Sequence, residues 1–372
     1  MKRFILATTA LTASAFAAQA GGIDRSNQDI GIIFESGNRF ELSFGAADPS
    51  LDGTDLGSTA TTGNVGGNFS VLSGGLRYEI NDKISVAMIV DEPFGADISY
   101  PVIATSPSLG GTQAVVDSIA FTVLGRYKFN DNFSVHGGLR YQEIEADVSL
   151  RGVAYAGLNG YSAKLDAAGA FGFLLGAAYE KPEIALRVAL TYQSKITHDL
   201  PTNETFGGVP VAPPGLTEVV TPESLNLEFQ TGVAKDTLVF GSIRYARYSD
   251  TRAIPAFFGA NTPAGTSLTN IEDSTDYEIG VGRRFNDQWS GSVAIGYQRE
   301  NGDDLVSPLS PTDGAKYITL GAKYQASDNL DISAGIRYTN IGDARAQTGG
   351  APRAAFTDNS AVSIGFKIGY NF

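Results

Sequence analysis

The chain is predicted to be all-β: a transmembrane antiparallel up-and-down β-barrel of fourteen strands, preceded by a short N-terminal hatch segment. Two observations lead there. Apolar and polar residues alternate with a period of two through fourteen short stretches, as strands with one greasy and one polar face require. The connections between those stretches also alternate strictly between minimal polar turns and long Gly/Pro/Ser/Thr-rich loops, the asymmetry of barrels with clipped periplasmic turns and extended external loops.

The N-terminus comes first. Lys2 and Arg3, an apolar stretch from Phe4, and Ala18-Gln19-Ala20 form a secretory signal pattern over residues 1–20, with Gly21 as the first mature residue. Residues 21–38 follow as the hatch. Ile30, Ile32, Ile33 and Phe34 form an apolar cluster beside Asp24, Arg25, Asn27 and Gln28, suited to plugging a lumen that fourteen strands leave wider than their side chains can fill. The barrel domain is expected over 39–372.

Strands are expected at 40–47, 69–80, 84–100, 114–129, 133–150, 162–180, 184–198, 224–234, 238–248, 274–285, 289–300, 316–326, 330–343 and 359–372. Six tight turns punctuate them: Asn81-Asp82-Lys83, Asn130-Asp131-Asn132, Lys181-Pro182-Glu183, Lys235-Asp236-Thr237, Asn286-Asp287-Gln288 and Ser327-Asp328-Asn329. The stretches 201–214 and 255–263 read as external loops. In the last strand Val362, Ile364, Phe366, Ile368, Tyr370 and Phe372 face lipid, while Ser363, Gly365, Lys367, Gly369 and Asn371 face the lumen. Phe366, Ile368, Tyr370 and Phe372 form a terminal alternation of the kind read by the barrel-assembly machinery.

A repeated phrase, Gly-x-Arg/Lys-Tyr, recurs as Gly75-Leu76-Arg77-Tyr78, Gly138-Leu139-Arg140-Tyr141, Gly321-Ala322-Lys323-Tyr324 and Gly335-Ile336-Arg337-Tyr338. Adjacent strand residues oppose each other, so the cation points inward and the tyrosine outward, into an aromatic girdle. Arg140 and Arg244, in the outer half of the lumen, are candidate contacts for a ligand head group. Asp91, Asp166, Glu228 and Glu278 are expected to face inward as well.

One strand breaks its own pattern. Ile84, Val86, Met88 and Val90 point outward, which would carry Glu92 onto the lipid face, where a carboxylate is unfavourable. The register must change there, and Pro93, which lacks a ladder donor, and Gly95 follow at once. Pro93-Phe94-Gly95 is therefore the candidate for a bulge that opens the wall.

These features together resemble the FadL/TodX family of outer-membrane transporters for long-chain fatty acids and other hydrophobic compounds. The resemblance runs through most of the mature chain: the hatch leads through 36–45 into Asp48-Pro49, the third strand is perturbed, and Pro222-Glu223-Ser224-Leu225 opens the eighth strand. The hatch is shorter than usual in that family and has no Asn-Pro-Ala motif. The resemblance implies passive transport in the bacterial outer membrane, with ligand captured at the outside and released sideways through the third strand. The implied partners are hydrophobic small molecules, outer-membrane lipid and lipopolysaccharide, and the assembly machinery during biogenesis.

Composition bounds the alternatives. With 27 basic and 40 acidic residues the net charge is −13, which disfavours nucleic acid as a partner. No cysteine exists, so thiol chemistry and thiolate metal sites are excluded. No cofactor or metal site is expected. Only His136 and His198 could supply an imidazole; His136 is read as facing the lumen and His198 as sharing an outward face with Ser194, too far along the strand for a catalytic hydrogen bond. Acidic pairs in the loops, Asp303-Asp304 and Glu272-Asp273, suit calcium but are ordinary for solvated loops. The competing reading is a general diffusion porin for small polar solutes.

Overall fold

A computed structural model describes residues 23–102, 106–301 and 304–372. The expected signal peptide, 1–20, and Asp303 lie outside the described residues. No described helix is long and apolar enough to cross a membrane; strands cross instead.

The strands are β1 (Arg39–Ser50), β2 (Phe69–Asn81), β3 (Ile84–Asp91 and Gly95–Ser99), β4 (Gln113–Lys128), β5 (Phe133–Ser149), β6 (Tyr161–Lys181) and β7 (Leu186–Gln193 and Ile196–Phe206). Then come β8 (Gly215–Thr221 and Ser224–Ala234), β9 (Thr237–Ala246), β10 (Ser274–Arg284), β11 (Trp289–Gln298), β12 (Ala315–Gln325), β13 (Leu330–Ile341) and β14 (Ser360–Asn371). All neighbours pair antiparallel, and β1 pairs with both β2 and β14, so the sheet closes and leaves no edge. The fold class is the fourteen-stranded barrel that the alternation predicts.

The two faces separate as expected. Val362, Ile364, Phe366, Tyr370 and Phe372 are exposed to the outside, Ile368 partly so, while Ser363 is buried. Lys367 reaches Glu41 at 3.5 Å inside the lumen, so a one-residue slip of β14 would drive an ammonium into hydrocarbon. Tyr78, Tyr127, Phe285 and Tyr370 are exposed at one end of the wall, and Tyr245, Tyr297 and Tyr338 at the other, as two aromatic belts.

Three local readings need correction. The stretch 201–214 is not all loop: β7 continues to Phe206 and pairs with 215–221, extending a hairpin beyond the belt. His198 is buried rather than outward, because Ser194 and Lys195 interrupt β7 and shift the inward phase from Thr191 and Gln193 to Ile196 and His198. Asp166 sits at a similar phase change in β6, where its half-exposed carboxylate meets Lys164 at 3.1 Å instead of entering the lumen. A five-stranded sheet at the loop end was also not foreseen. It joins Asp52–Asp55, Thr61–Asn64, Leu305–Val306, Ala344–Thr348 and Ala351–Phe356, and buries Phe356 against Leu51, Val65 and Tyr100.

Candidate functional site

The third strand carries a framed opening. Above a one-residue register shift beside the turn, between Glu79 and Asn81, β2 and β3 pair regularly as far as Gly74 with Val90. Continued, the ladder would join Leu72 to Glu92 and Phe69 to Gly95, but Pro93 offers no N–H and the pairing stops. Above Gly95, β3 keeps only its β4 neighbour. Contact on the β2 side returns where Gly67 N donates to Asp97 O (2.8 Å) and Ser99 N to Val65 O (2.8 Å). The gap between 69–73 and 91–95 is thus a window with a sill and a lintel.

The bulge that makes it is visible against β4. Asp91 pairs with Ala120 and Gly95 with Asp117, so three residues of β3 stand against two of β4. The inward phase changes from Ala87, Ile89 and Asp91 to Ile98 and Tyr100. Ser118 on β4 serves the stranded peptide at Phe94: its hydroxyl accepts from Phe94 N (2.9 Å) and donates to Phe94 O (2.7 Å). Glu92 does not lie free in lipid; its carboxylate accepts from the Leu72 N–H left unpaired on the window's edge.

The N-terminal segment fills the space behind the window. Gly95 N donates to Ile23 O (2.7 Å) and Arg25 N to Pro93 O (2.8 Å), so residues 23–25 run as a strip along the bulge. The Arg25 guanidinium lies 4.7 Å from the Phe69 ring centre and its Nη1 is 3.3 Å from Asp117. Gly95 permits this, because a Cβ there would lie 2.1 Å from Arg25 Cζ. Phe69 frames β2's side of the gap, so Arg25 acts as a bolt across it.

Below the strip, Ile30, Ile32, Ile33 and Phe34 pack inside the barrel against Ala87, Ile89, Leu124, Leu174, Ala178 and Ala189. Phe34 lies between the guanidiniums of Arg126 and Arg187, at 4.9 and 4.7 Å, and edge-on to His136 at 5.3 Å. His136 Nε2 is also 2.9 Å from Thr191 Oγ1. Fully burying these four apolar side chains stabilises the docked segment by roughly 2 kcal/mol each before ordering costs.

The two arginines singled out for a head group are both buried beside this segment. Arg244 Nε donates to Asp24 Oδ2 (2.9 Å), and Nη1 to Ser224 (3.0 Å) and Asn226 (2.9 Å). Arg140 donates to Thr122 (2.9 Å) and Gln193, keeping one Nη2 without a partner among the described residues. Ser26 donates to Asp91 (2.7 Å), and Gln193 to the Gln28 carbonyl (3.1 Å). Sequence reasoning missed Asp24, Arg25 and Ser118, because nothing in a polar tail or an ordinary strand serine marks them as partners of a bulge on another strand.

Above the strip lies an apolar chamber. Ile23 forms part of its floor, and Ile144, Val148, Leu165, Leu200 and Leu268 part of its wall. Its free volume is about 70 Å³, and its lining is mostly aliphatic. Ile23 and Ala96 also border the cavity behind the window, so the chamber and the opening share a partition.

A closed barrel with an internal plug, an interrupted strand and an apolar chamber defines an outer-membrane channel protein for hydrophobic solutes. The model of the family described as outer membrane protein transport protein (OMPP1/FadL/TodX) matches residues 27–372, and the chain belongs to that family. It is therefore a bacterial outer-membrane transporter and not an enzyme. Among solved structures it is similar to a Pseudomonas aeruginosa FadL homologue (17% identity, 97% of this chain and 98% of that one, TM-score 0.74). It is also similar to the Pseudomonas putida toluene transporter TodX (15%, 92% and 92%, 0.67) and the Ralstonia pickettii toluene transporter TbuX (14%, 96% and 97%, 0.64). These likenesses show the fold. No curated protein matches the chain by sequence.

Proposed function

We propose that the protein moves hydrophobic small molecules passively from the outer chamber, past the N-terminal strip, and sideways through the window at Pro93-Phe94-Gly95 into the outer membrane. The observation that carries this reading is the window's frame. Between β2 and β3 the ladder is lost from 69–73 and 91–95, and there the Phe94, Leu72 and Gly95 amides are met by Ser118, Glu92 and the strip respectively. A gap whose polar groups are satisfied from within can sit against lipid without the cost of bare backbone.

In this reading the cluster Ile30, Ile32, Ile33 and Phe34 keeps the lumen shut to water, and Asp24 with Arg244 ties the strip to β9. Arg244 holds the segment, while Arg140 keeps one Nη2 without a partner among the described residues. Transport of a fatty acid with its carboxylate on such a cation is one form of the proposal, and the toluene carried by TodX and TbuX indicates another.

Proteoliposomes and planar bilayers test it together. A transporter of this kind passes a hydrophobic fluorophore into the lipid phase while showing no large ohmic conductance and no swelling with sugars. Strong conductance with sugar-driven swelling would establish the porin reading instead.

A further inference from the structure

The apolar chamber is too small, as it stands, for the solutes it would receive. Its free volume is about 70 Å³, whereas pockets that hold small organic ligands start at about 300 Å³. Some part of its boundary must give way. The wall cannot do so cheaply, because Ala114, Ile144, Leu165, Leu200 and Val219 belong to β4 through β8, five strands laddered edge to edge. The roof can. Thr251, Ala253, Leu268 and Ile271 come from the external connection between β9 and β10, which is irregular from 251 to 273 apart from a five-residue helix, Ala256–Ala260.

One carboxylate fastens this roof. Pro255 offers no side-chain cap to the helix that follows it, so the helix's first amides need an acceptor from elsewhere. Glu204, on the extension of β7, supplies it: Oε2 accepts from Phe257 N (2.8 Å), and Oε1 from Phe258 N (2.9 Å) and the Tyr161 hydroxyl (2.7 Å). Glu204, Tyr161 and Phe258 are buried, and the Phe257 ring stacks on Tyr161 at 6.1 Å. The roof's other hydrogen bonds are largely internal, such as Leu268 N to Ala253 O (2.9 Å), Ala253 N to Ser267 (2.9 Å) and Thr269 to Thr251 O (2.7 Å). Its base stays anchored, with Asp273 accepting from Ser249 N (2.9 Å) and the Tyr245 hydroxyl (2.7 Å). A unit bonded to itself, hinged at its base and fastened at its tip can lift as one piece.

We propose that residues 251–271 are a lid over the chamber and that Glu204 is its latch, so that hydrophobic solutes enter from outside when the bonds from Phe257 and Phe258 to Glu204 break and the loop lifts. This rests on the transporter reading and assigns the entry end of the same path.

The test uses the full-length chain, whose lack of native cysteine lets introduced thiols report alone. Ala253→Cys puts a thiol under the lid, and its rate of reaction with a water-soluble methanethiosulfonate reads lid opening. Adding Glu204→Ala should speed that reaction at least about tenfold, the equivalent of one lost hydrogen bond to a charged group. Glu204→Gln, which keeps one acceptor oxygen, should fall between, and Tyr161→Phe, which loses one donor and keeps the ring, decides if Glu204→Ala does not fold. Ala189→Cys, below the strip, should react no faster in any of these backgrounds. For entry itself, a short bifunctional methanethiosulfonate bridging Tyr161→Cys and Phe257→Cys in one protein should reduce fluorophore delivery in proteoliposomes to the level of empty liposomes, and reductant should restore it. Unchanged reactivity under the lid, an equal rise at Ala189→Cys, or full delivery through completely cross-linked protein would overturn the lid and leave transport standing. Sugar-driven swelling without fluorophore delivery by the unmodified protein would overturn the transporter reading, and the lid's role with it.

Discussion

Arg25→Ala removes the bolt and leaves the window. The side chain makes two contacts that hold the gap: a cation–π contact with Phe69 at 4.7 Å and an ion pair with Asp117 at 3.3 Å. A cation–π contact is worth roughly 0.5 to 2 kcal/mol depending on desolvation. Arg25 is buried, but the Asp117 side chain is 57% exposed, so the ion pair adds at most about 1 kcal/mol. Together they favour the closed arrangement by about 2 kcal/mol, or roughly 30-fold in the closed-to-open ratio. The backbone strip, with Gly95 N on Ile23 O and Arg25 N on Pro93 O, survives the substitution. The assay is the initial rate at which protein in planar-supported proteoliposomes delivers a hydrophobic fluorophore to the lipid phase. Arg25→Ala should raise that rate by up to about 30-fold, and Arg25→Lys should fall between, since an ammonium lacks the planar face that stacks on Phe69. An unchanged or lower rate from a folded Arg25→Ala barrel would refute the role of this side chain.

Three further outcomes follow from the same contacts. Asp24→Asn leaves Arg244 without its charged partner; breaking a buried pair costs about 3 to 5 kcal/mol, so the N-terminal segment should become cleavable by protease and transient conductance should appear in planar bilayers. Asp55 is buried under the outer sheet, which opposes its ionisation, yet donors from Ser106, Ser108 and Gly57 hold its carboxyl below the usual range. Its contribution is therefore present above the unfolded value near 3.9 and lost as pH falls through the folded value. Loop proteolysis by an acid protease should rise in that window for the wild type, and be high already at neutral pH for Asp55→Ala. Deleting Phe372, with Phe366, Ile368 and Tyr370 intact, should slow insertion in an assembly assay with the barrel-assembly machinery, while the folded product keeps its normal gel mobility.

Most of the barrel was legible because its solvent is severe. Lipid tolerates no unpaired backbone and no charge on the outer face, so the alternation in β14, the turn at Asn286-Asp287-Gln288 and the tyrosines after each inward cation determine register almost residue by residue. The same severity exposed the break at Glu92, the one place in β3 where the period would have put a carboxylate into hydrocarbon. Beyond the membrane that constraint lapses. The extension of β7 through Pro201, the phase change at Ser194 and Lys195, and the outer five-stranded sheet depend on long-range pairings that a solvated loop composition does not announce. The partners of the window were hidden for a related reason: Asp24 and Arg25 look like any polar tail, and only the fold brings them to Arg244, Phe69 and Asp117.

The central claim is that solute passes between β2 and β3, and the absence of native cysteine allows a clean block there. Phe69→Cys places a single thiol on the window's frame, to be modified with a bulky methanethiosulfonate and released with reductant. Fluorophore delivery should fall to the level of empty liposomes on modification and return on reduction, while the same treatment of a Leu56→Cys control in the outer loop region leaves it unchanged. Full delivery through a completely modified Phe69→Cys protein would show that the solute takes another route.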